Sequence, residues 1–395
     1  MDVSVQVGTG SAGGLSFARS GLVRRLAQLP WGLVLFIVAI ALIGTGMLHS
    51  VTHDNAAEAD LPLKHLARFA VAFAVMIVLA LVPLRYWMRL ALPVYVMTVL
   101  LLVAVEFFGE MRGGAQRWLA IGPVNVQPSE FMKLALVLVL ARYYHTALPK
   151  AGGRYLLHVP ALALMLLPAA LIFKQPDFGT TLALLASGGA IIFVAGLPWR
   201  VIALTGLIGA TSVPVVYNYV LAEYQRERVD TFVEQIAGQS TDALGDGYQI
   251  EQAKIAVGSG GLRGKGYLKG TQSQLDYIPE QHTDFILTVV AEELGFFGAS
   301  GLLLLWATII GWGLYIAWRC QQLFGRLAAA GAVAMLGFYV VFNVGMVLGL
   351  LPVVGVPMPL VSYGGTAMLT VMAGFGVVLA ADIHRKAPSS AHGWF

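Results

Sequence analysis

The chain has 395 residues, 58% hydrophobic and only 12% charged, with a formal net charge of +4 and a mean hydropathy of +0.76. Soluble domains carry about 25% charged residues, so this composition excludes an ordinary soluble globule and leaves a polytopic membrane protein. The single cysteine, Cys320, excludes an internal disulfide and leaves no cysteine-based metal site.

Backbone in lipid must satisfy its own hydrogen bonds. Apolar runs of about 20 residues do so as helices, whereas barrel strands alternate over about ten. The predicted fold class is therefore an all-α polytopic membrane protein. Residues 1–24, rich in Gly, Ser and Ala, are expected to be a disordered cytoplasmic tail and not a cleaved signal, because a full-length span follows Arg24 and Arg25. Ten spans are predicted, at 32–49, 64–84, 87–108, 130–146, 156–174, 179–197, 200–221, 297–318, 326–350 and 361–383. Ser129, after Pro128, is a candidate N-cap that would lengthen the fourth. Residues 387–395 form a second tail, so 25–386 is predicted to be a single transmembrane domain.

With both termini cytoplasmic, the short inner loops receive Arg19, Arg24, Arg25, Arg85, Arg89, Arg142, Lys150, Arg154, Arg200, Arg319, Arg326, Arg385 and Lys386, as the positive-inside rule requires. Of the 21 acidic residues only Asp2 and Asp382 then lie inside. Two outer segments are too long for simple connections. One is 109–129; the other, 222–283, joins spans seven and eight. In the latter, EYQRERVDTFVEQI and GYQIEQAKIAV have amphipathic helical spacing suited to the membrane surface.

Ionisable residues gather at the outer half: Glu106, Arg117, Glu130, Lys133, Lys174, Asp177, Asp284, Glu292 and Glu293. A charge in a membrane segment needs a partner or a task. Glu130 and Lys133, at i and i+3, are spaced for an ion pair. Asp177 and Lys174 stand at the end of span five. The run GSGGLRGKGYLKG (258–270) fails the strict phosphate-loop pattern, since Ser259 and Gly266 stand where Gly and Ser or Thr are required. Its free amides beside Arg263, Lys265 and Lys269 would still suit a pyrophosphate; a plain turn is the other reading. Asp284 is expected in the first turn of a helix beginning near Thr283, where the dipole favours a carboxylate. Capping and catalysis are both open to it. Thr288, Ala291 and Gly295 would leave room on its face, and His282 and Glu280 stand beside it. Trp118 suits an interfacial anchor or a stacking platform.

In this order, GAQRWLAIGPVNVQPSEFMKL, QPDFGTT, IAVGSGGLRGKGY, PEQHTDFILTVVAEELGFFG and GLLPVVGVPMPLVSYGGTAML resemble the SEDS family (shape, elongation, division, sporulation) of bacterial cell-wall proteins, from Trp31 to Lys386. PEQHTDFI and LPVVGVPMPLVSYGG look RodA-like, of the elongation branch, more than FtsW-like. The resemblance implies a peptidoglycan glycosyltransferase that polymerises lipid II on the outer face of the cytoplasmic (inner) membrane for elongation and rod shape. It places the catalytic acid on Asp284, an essential tryptophan on Trp118 and a salt bridge on Glu130 and Lys133. It also implies a class B penicillin-binding protein as transpeptidase partner and other elongation-machinery membrane proteins; no nucleic acid is expected.

That chemistry needs a base for the attacking 4-hydroxyl and cations for the departing undecaprenyl pyrophosphate, without a glycosidase-type general acid. Asp284 is assigned as the base; partial burial is expected to lift it above the usual value of about 3.9. Arg117, Arg263 or a divalent cation, Mg2+ or Mn2+, would balance the phosphate charge. His282 and Lys265 complete the supporting set. No metal cage is visible, so substrate phosphates would fill the ion's shell. Two rival readings stand beside this one. A lipid II flippase would accommodate Gly/Pro-broken helices and buried charges. A non-enzymatic scaffold would use contacts such as the Gly345/Gly349 spacing.

Overall fold

The computed structural model describes residues 25–385 except 54, 56–57, 113–114, 122–123, 151–154, 220–225, 227–229, 231–232, 234–245, 276 and 279. Both expected tails and most of the first outer-loop segment, 223–236, lie outside the described residues.

Each predicted span falls on a helix. These are α1 (Trp31–Thr52), α2 (Leu61–Leu81), α3 (Leu84–Phe108), α4 (Pro128–Ala147), α5 (His158–Lys174), α6 (Phe178–Val194) and α7 (Trp199–Tyr219), followed after the outer loop by α10 (Ile286–Arg319), α11 (Leu323–Val347) and α12 (Gly365–Ile383). Between them lie α8 (Asp246–Ser259) and the short α9 (Thr271–Gln274). Among the described residues, seven helices are long and apolar enough to cross a membrane by length and composition: α1, α2, α3, α5 with its leading turn, α10, α11 and α12. Proline marks several starts, because its fixed φ and missing N–H suit a first turn. Pro62 and Pro128 sit in the first turns of α2 and α4. Pro128 thus takes the place before Ser129, and the expected Ser129 cap is corrected: Ser129 is inside the helix, and Gln127 is the N-cap.

The core has two lobes. One gathers α1, α2, α8 and α10–α12 around residues such as Ile37, Ile286, Trp306 and Phe375. The other gathers α3–α6 around Leu136 and Leu184, with Phe324 of α11 and Val377 of α12. Helix α11 serves both and is the most enclosed candidate span, 72% buried. Its small residues permit that closeness: Gly331 lies where a Cβ would meet the Ile191 side chain. At one end of the bundle, Arg25 reaches the Leu81 carbonyl, Arg142 that of Arg89, and Gln321 that of Arg385. These are the helix ends to which the positive-inside rule assigned the cytoplasm.

Four features depart from the sequence reading. First, segment 109–129 is not all loop: β1 (Glu110–Arg112), β2 (Ala115–Ile121) and β3 (Val124–Val126) form an antiparallel meander. Its strands are too short to register as a strand pattern in a chain this apolar. Second, α10 starts at Ile286, well before 297, and is broken at Gly295, which has φ 67° and ψ −165°. Third, 348–364 is neither helix nor exposed loop. It folds back into the bundle with Val353, Val354, Val356, Met358, Leu360 and Val361 buried. Irregular backbone at such depth is tolerated only when protein satisfies it. Gly349, at φ 69°, ends α11 in a Schellman turn, with Leu350 N donating to Gly345 O (2.7 Å) and Gly349 N to Met346 O (2.9 Å). The Gly345/Gly349 spacing therefore closes a helix and is not a helix-pairing stripe. Fourth, the apolar face of α8 (Ile250, Ala253, Ala256) is buried in the bundle core, so protein and not lipid covers it.

Candidate active site

Asp284 lies in the turn ahead of α10, with Phe285 as N-cap, so the helix starts slightly later than expected and the acid precedes its first turn. Three consecutive carbonyls of this turn are held from behind. His282 O accepts from Tyr363 N at 2.9 Å. Thr283 O accepts from Ser362 Oγ. Asp284 O accepts from Asn343 Nδ2 at 2.8 Å. The second hydrogen of the Asn343 amide goes to Val356 O, also at 2.8 Å. Asp284 itself is half-buried. Its Oδ2 lies 3.6 Å from where a Cβ on Gly355 would stand, and Gly355 has φ 71°.

The folded-back segment 348–364 is fixed in turn by α1, α2 and α6. Gly44 of α1 lets it approach until a Cβ there would touch Leu360 O and Val361 Cα. Buried His65 of α2 lies with Nε2 3.2 Å from Leu360 O. Arg68, one turn on, is exposed and stacks over the Tyr363 ring at 4.4 Å. Gly179, at the head of α6, packs against Val354 O and Val356.

The QPDFGTT stretch thereby finds its use. Asp177 caps α6 through Thr180 N (3.2 Å), while its other oxygen accepts from Gln127 Nε2 (2.9 Å) and Ser129 Oγ (3.3 Å). Lys174 pairs with Glu106 at 2.6 Å. Glu130 and Lys133 form the expected ion pair at 2.6 Å, both buried. Tyr339 of α11 closes it, with its hydroxyl 3.4 Å from both Glu130 oxygens and its ring 4.5 Å from Lys133 Nζ. Tyr339 also lines a narrow cavity with Pro357, Met358, Ser362 and Gly364. Trp118, half-buried on β2, stands opposite Glu110. Arg117 donates to the carbonyls of Gln175 (3.2 Å) and Pro176, which docks the meander on α5.

The glycine run behaves differently from the expected phosphate cradle. Its amides are occupied: Gly264 N donates to Gly260 O (2.8 Å), Lys265 N to Glu292 O (3.0 Å) and Gly266 N to Glu293 O (2.9 Å). In return Phe296 N and Phe297 N donate to Gly261 O and Leu262 O, at 2.8 and 3.2 Å. The loop thus supplies the hydrogen bonds that α10 loses at Gly295. The room expected beside Ala291 and Gly295 is filled by Gly260 and Gly264, where any Cβ would strike backbone. Lys265 is likewise engaged: its ammonium meets Glu292 Oε1 at 2.6 Å and Thr271 Oγ1 at 2.7 Å. Glu292, fully buried, also accepts from Gln272 N (2.9 Å) and Ser273 N (3.2 Å) and so caps α9. Glu293 accepts from Ser50 Oγ of α1. Tyr267, whose hydroxyl donates to Gly46 O at 3.0 Å, is pushed above the usual phenol range by burial and then by the Glu293 charge. Arg263 is exposed.

Of the sequence-selected residues, Asp284, Glu130 and Lys133 are joined through α11, and His282 shares the Asp284 turn. Its Tyr339 touches the ion pair, while its Asn343 holds the Asp284 turn. Lys265 belongs to the loop that splices α10. Asn343, Tyr339, Ser362 and Arg68 were missed. A lone asparagine in an apolar helix was the signal available for Asn343, since a polar group there needs a reason. Among the described residues no group of three or more His, Cys, Asp or Glu is placed to hold a metal ion. Asp284 is thus a half-buried acid on a turn whose three consecutive carbonyls are held from behind, and a carboxylate so held has the chemistry to take a proton from a hydroxyl.

The family model described as cell cycle protein, FTSW_RODA_SPOVE, matches residues 24–387. The peptidoglycan glycosyltransferase MrdB of Escherichia coli K12 is 44% identical over 325 residues, covering 82% of this chain and 86% of that protein. A solved structure described as "Structural coordination of polymerization and crosslinking by a peptidoglycan synthase complex" superposes with TM-score 0.79 at 32% identity, covering 91% of this chain and 99% of that one. The rod shape determining protein RodA of Thermus thermophilus superposes with TM-score 0.67 at 30% identity, covering 91% and 98%.

Proposed function

This chain belongs to the FTSW_RODA_SPOVE family, and on that premise we propose that it is a peptidoglycan glycosyltransferase of the elongation branch, with Asp284 as its general base. It is a multi-pass protein of the bacterial cytoplasmic membrane and polymerises lipid II into glycan strands. It works beside a class B penicillin-binding protein that crosslinks the product; the solved relative that coordinates polymerization and crosslinking within a synthase complex supports this pairing.

The observation that carries the catalytic assignment is the pinned turn. His282, Thr283 and Asp284 each give their carbonyl to the 343–363 region, so the acid is held while its carboxylate stays half-buried. The acceptor sugar's 4-hydroxyl attacks the anomeric carbon of the donor, Asp284 takes the hydroxyl proton, and undecaprenyl pyrophosphate departs with the bonding pair. No acid is required for so good a leaving group. Trp118, half-buried on the meander, offers a stacking face, and the Glu130–Lys133 pair with Tyr339 fixes α4 against α11. Arg117 and Lys265 are engaged with protein groups, so the phosphate charge falls to exposed Arg263 and Arg68. A divalent cation, Mg2+ or Mn2+, would supply further charge neutralisation, with phosphate oxygens of the substrate filling most of its shell.

The test is polymerisation of labelled lipid II by the purified protein with its transpeptidase partner, wild type against Asp284→Asn. Loss of glycan with the fold and complex intact is the expected result. Full retention would remove Asp284 from the chemistry. Lipid II translocation by wild type without any polymer would favour the flippase reading.

A further inference from the structure

We propose that Asn343 is a positioning residue for polymerisation: from inside α11 it fixes the main chain of Asp284 and thereby sets where the catalytic carboxylate points. This rests on Asp284 being the base. Asn343 is 0% exposed, deep in a mostly apolar helix. Both hydrogens of its amide are donated at 2.8 Å, one to Asp284 O and one to Val356 O. Those carbonyls belong to two segments that meet nowhere along the chain, the turn ahead of α10 and the folded-back stretch after α11. One planar amide therefore holds both sides of the site at a fixed separation, with Gly355 bordering the Asp284 carboxylate.

The other end of the amide is informative. Asn343 Oδ1 is buried without a hydrogen-bond partner among the described residues. Burying an unpaired polar atom is unfavourable, and a leucine of similar shape would avoid it. The amide is thus present for its two donors. It cannot flip to satisfy its oxygen, because that would point the oxygen at two carbonyls. One turn earlier on the same helix, Tyr339 contacts both Glu130 oxygens, so α11 carries the base's anchor and the ion pair's anchor together.

The test compares full-length Asn343→Leu and Asn343→Asp with wild type in lipid II polymerisation, with the partner present. Asn343→Leu is expected to lower kcat about 100-fold, with KM for lipid II changed less than about twofold, as misplacement of a reacting group by roughly 1 Å does. Asn343→Asp supplies a signature that a structural role would lack. A carboxyl facing two carbonyl oxygens is driven to its neutral form, and the neutral form restores one of the two donors. The ratio of its rate to the wild-type rate should therefore rise about tenfold as pH falls from about 8 to about 6. Wild-type kcat in Asn343→Leu, or a flat ratio with only a lowered Tm in Asn343→Asp, would overturn the proposal. If the leucine variant does not fold, the pH ratio decides alone. Activity of Asp284→Asn in the same assay separates the premise from the inference: an active Asp284→Asn removes both, whereas an inactive one beside fully active Asn343 variants removes only the positioning role.

Discussion

Asp284 and Glu292 sit on one segment, on either side of the first turns of α10, and both are acids. Their burial and their backbone anchoring differ. Glu292 is 0% exposed and collects Lys265 Nζ, Thr271 Oγ1 and the amides of Gln272 and Ser273. Asp284 is half-buried, and the bonds that hold its turn run to main-chain carbonyls. A carboxylate whose oxygens are filled by its own protein is a fastener. Asp284, by contrast, is fastened through its backbone, whose carbonyl accepts from Asn343 Nδ2. Hydropathy and spacing do not distinguish the two.

The sharpest way to break this contrast is at Asp284. Asp284→Asn should cut glycan synthesis by about 10²- to 10⁴-fold, the usual range for a lost general base, while thermal unfolding of the purified protein stays at the wild-type temperature. Glu292→Ala should do the reverse. It strands Lys265 and uncaps α9, and breaking such a buried pair costs about 3–5 kcal/mol. Hydrogen exchange across 260–274 and the unfolding temperature read that loss. Adding Lys265→Ala should recover part of it, since partners in one network are not additive; full additivity would mean the pair does not hold the loop.

Two glycines refine the picture at smaller scale. Gly295 and Gly355 both have positive φ, 67° and 71°. A Cβ at Gly295 would strike the main chain of Gly264 and Arg263, whereas at Gly355 the nearest atom is Asp284 Oδ2 at 3.6 Å. Gly355→Ala should therefore cost about 1 kcal/mol of backbone strain and a few-fold in rate, with Gly295→Ala destabilising more and acting through the splice. Equal effects of the two on rate per folded molecule would remove the distinction. The smallest change expected is Arg263→Ala: stability within about 0.5 kcal/mol of wild type, as for an exposed side chain, with KM for lipid II raised a few-fold and the increase lessened by salt.

The long apolar helices were legible because membrane insertion writes hydrophobicity directly into sequence. The buried Glu130–Lys133 pair was legible because i,i+3 spacing is a local property. The glycine run was left between two readings for the same reason in reverse: local rules do not show that Lys265 N and Gly266 N are taken by carbonyls beside the break in a distant helix. Ser129 and Lys265 went the same way, drawn to partners 48 and 27 residues distant.

By itself the sequence determined that the chain is a helical membrane protein, roughly where its long apolar helices run, and which ionisable residues in them had to be accounted for. Resemblance of its motifs added the family. Only the tertiary structure decided that Glu292 is held by Lys265 and the start of α9, that 348–364 is a buried platform, and that Asn343 stands behind Asp284. The physical reason is that burial in lipid depends on the polarity of each residue where it stands. The role of a carboxylate depends on which donors the fold brings within about 3 Å of it, and those come from anywhere in the chain.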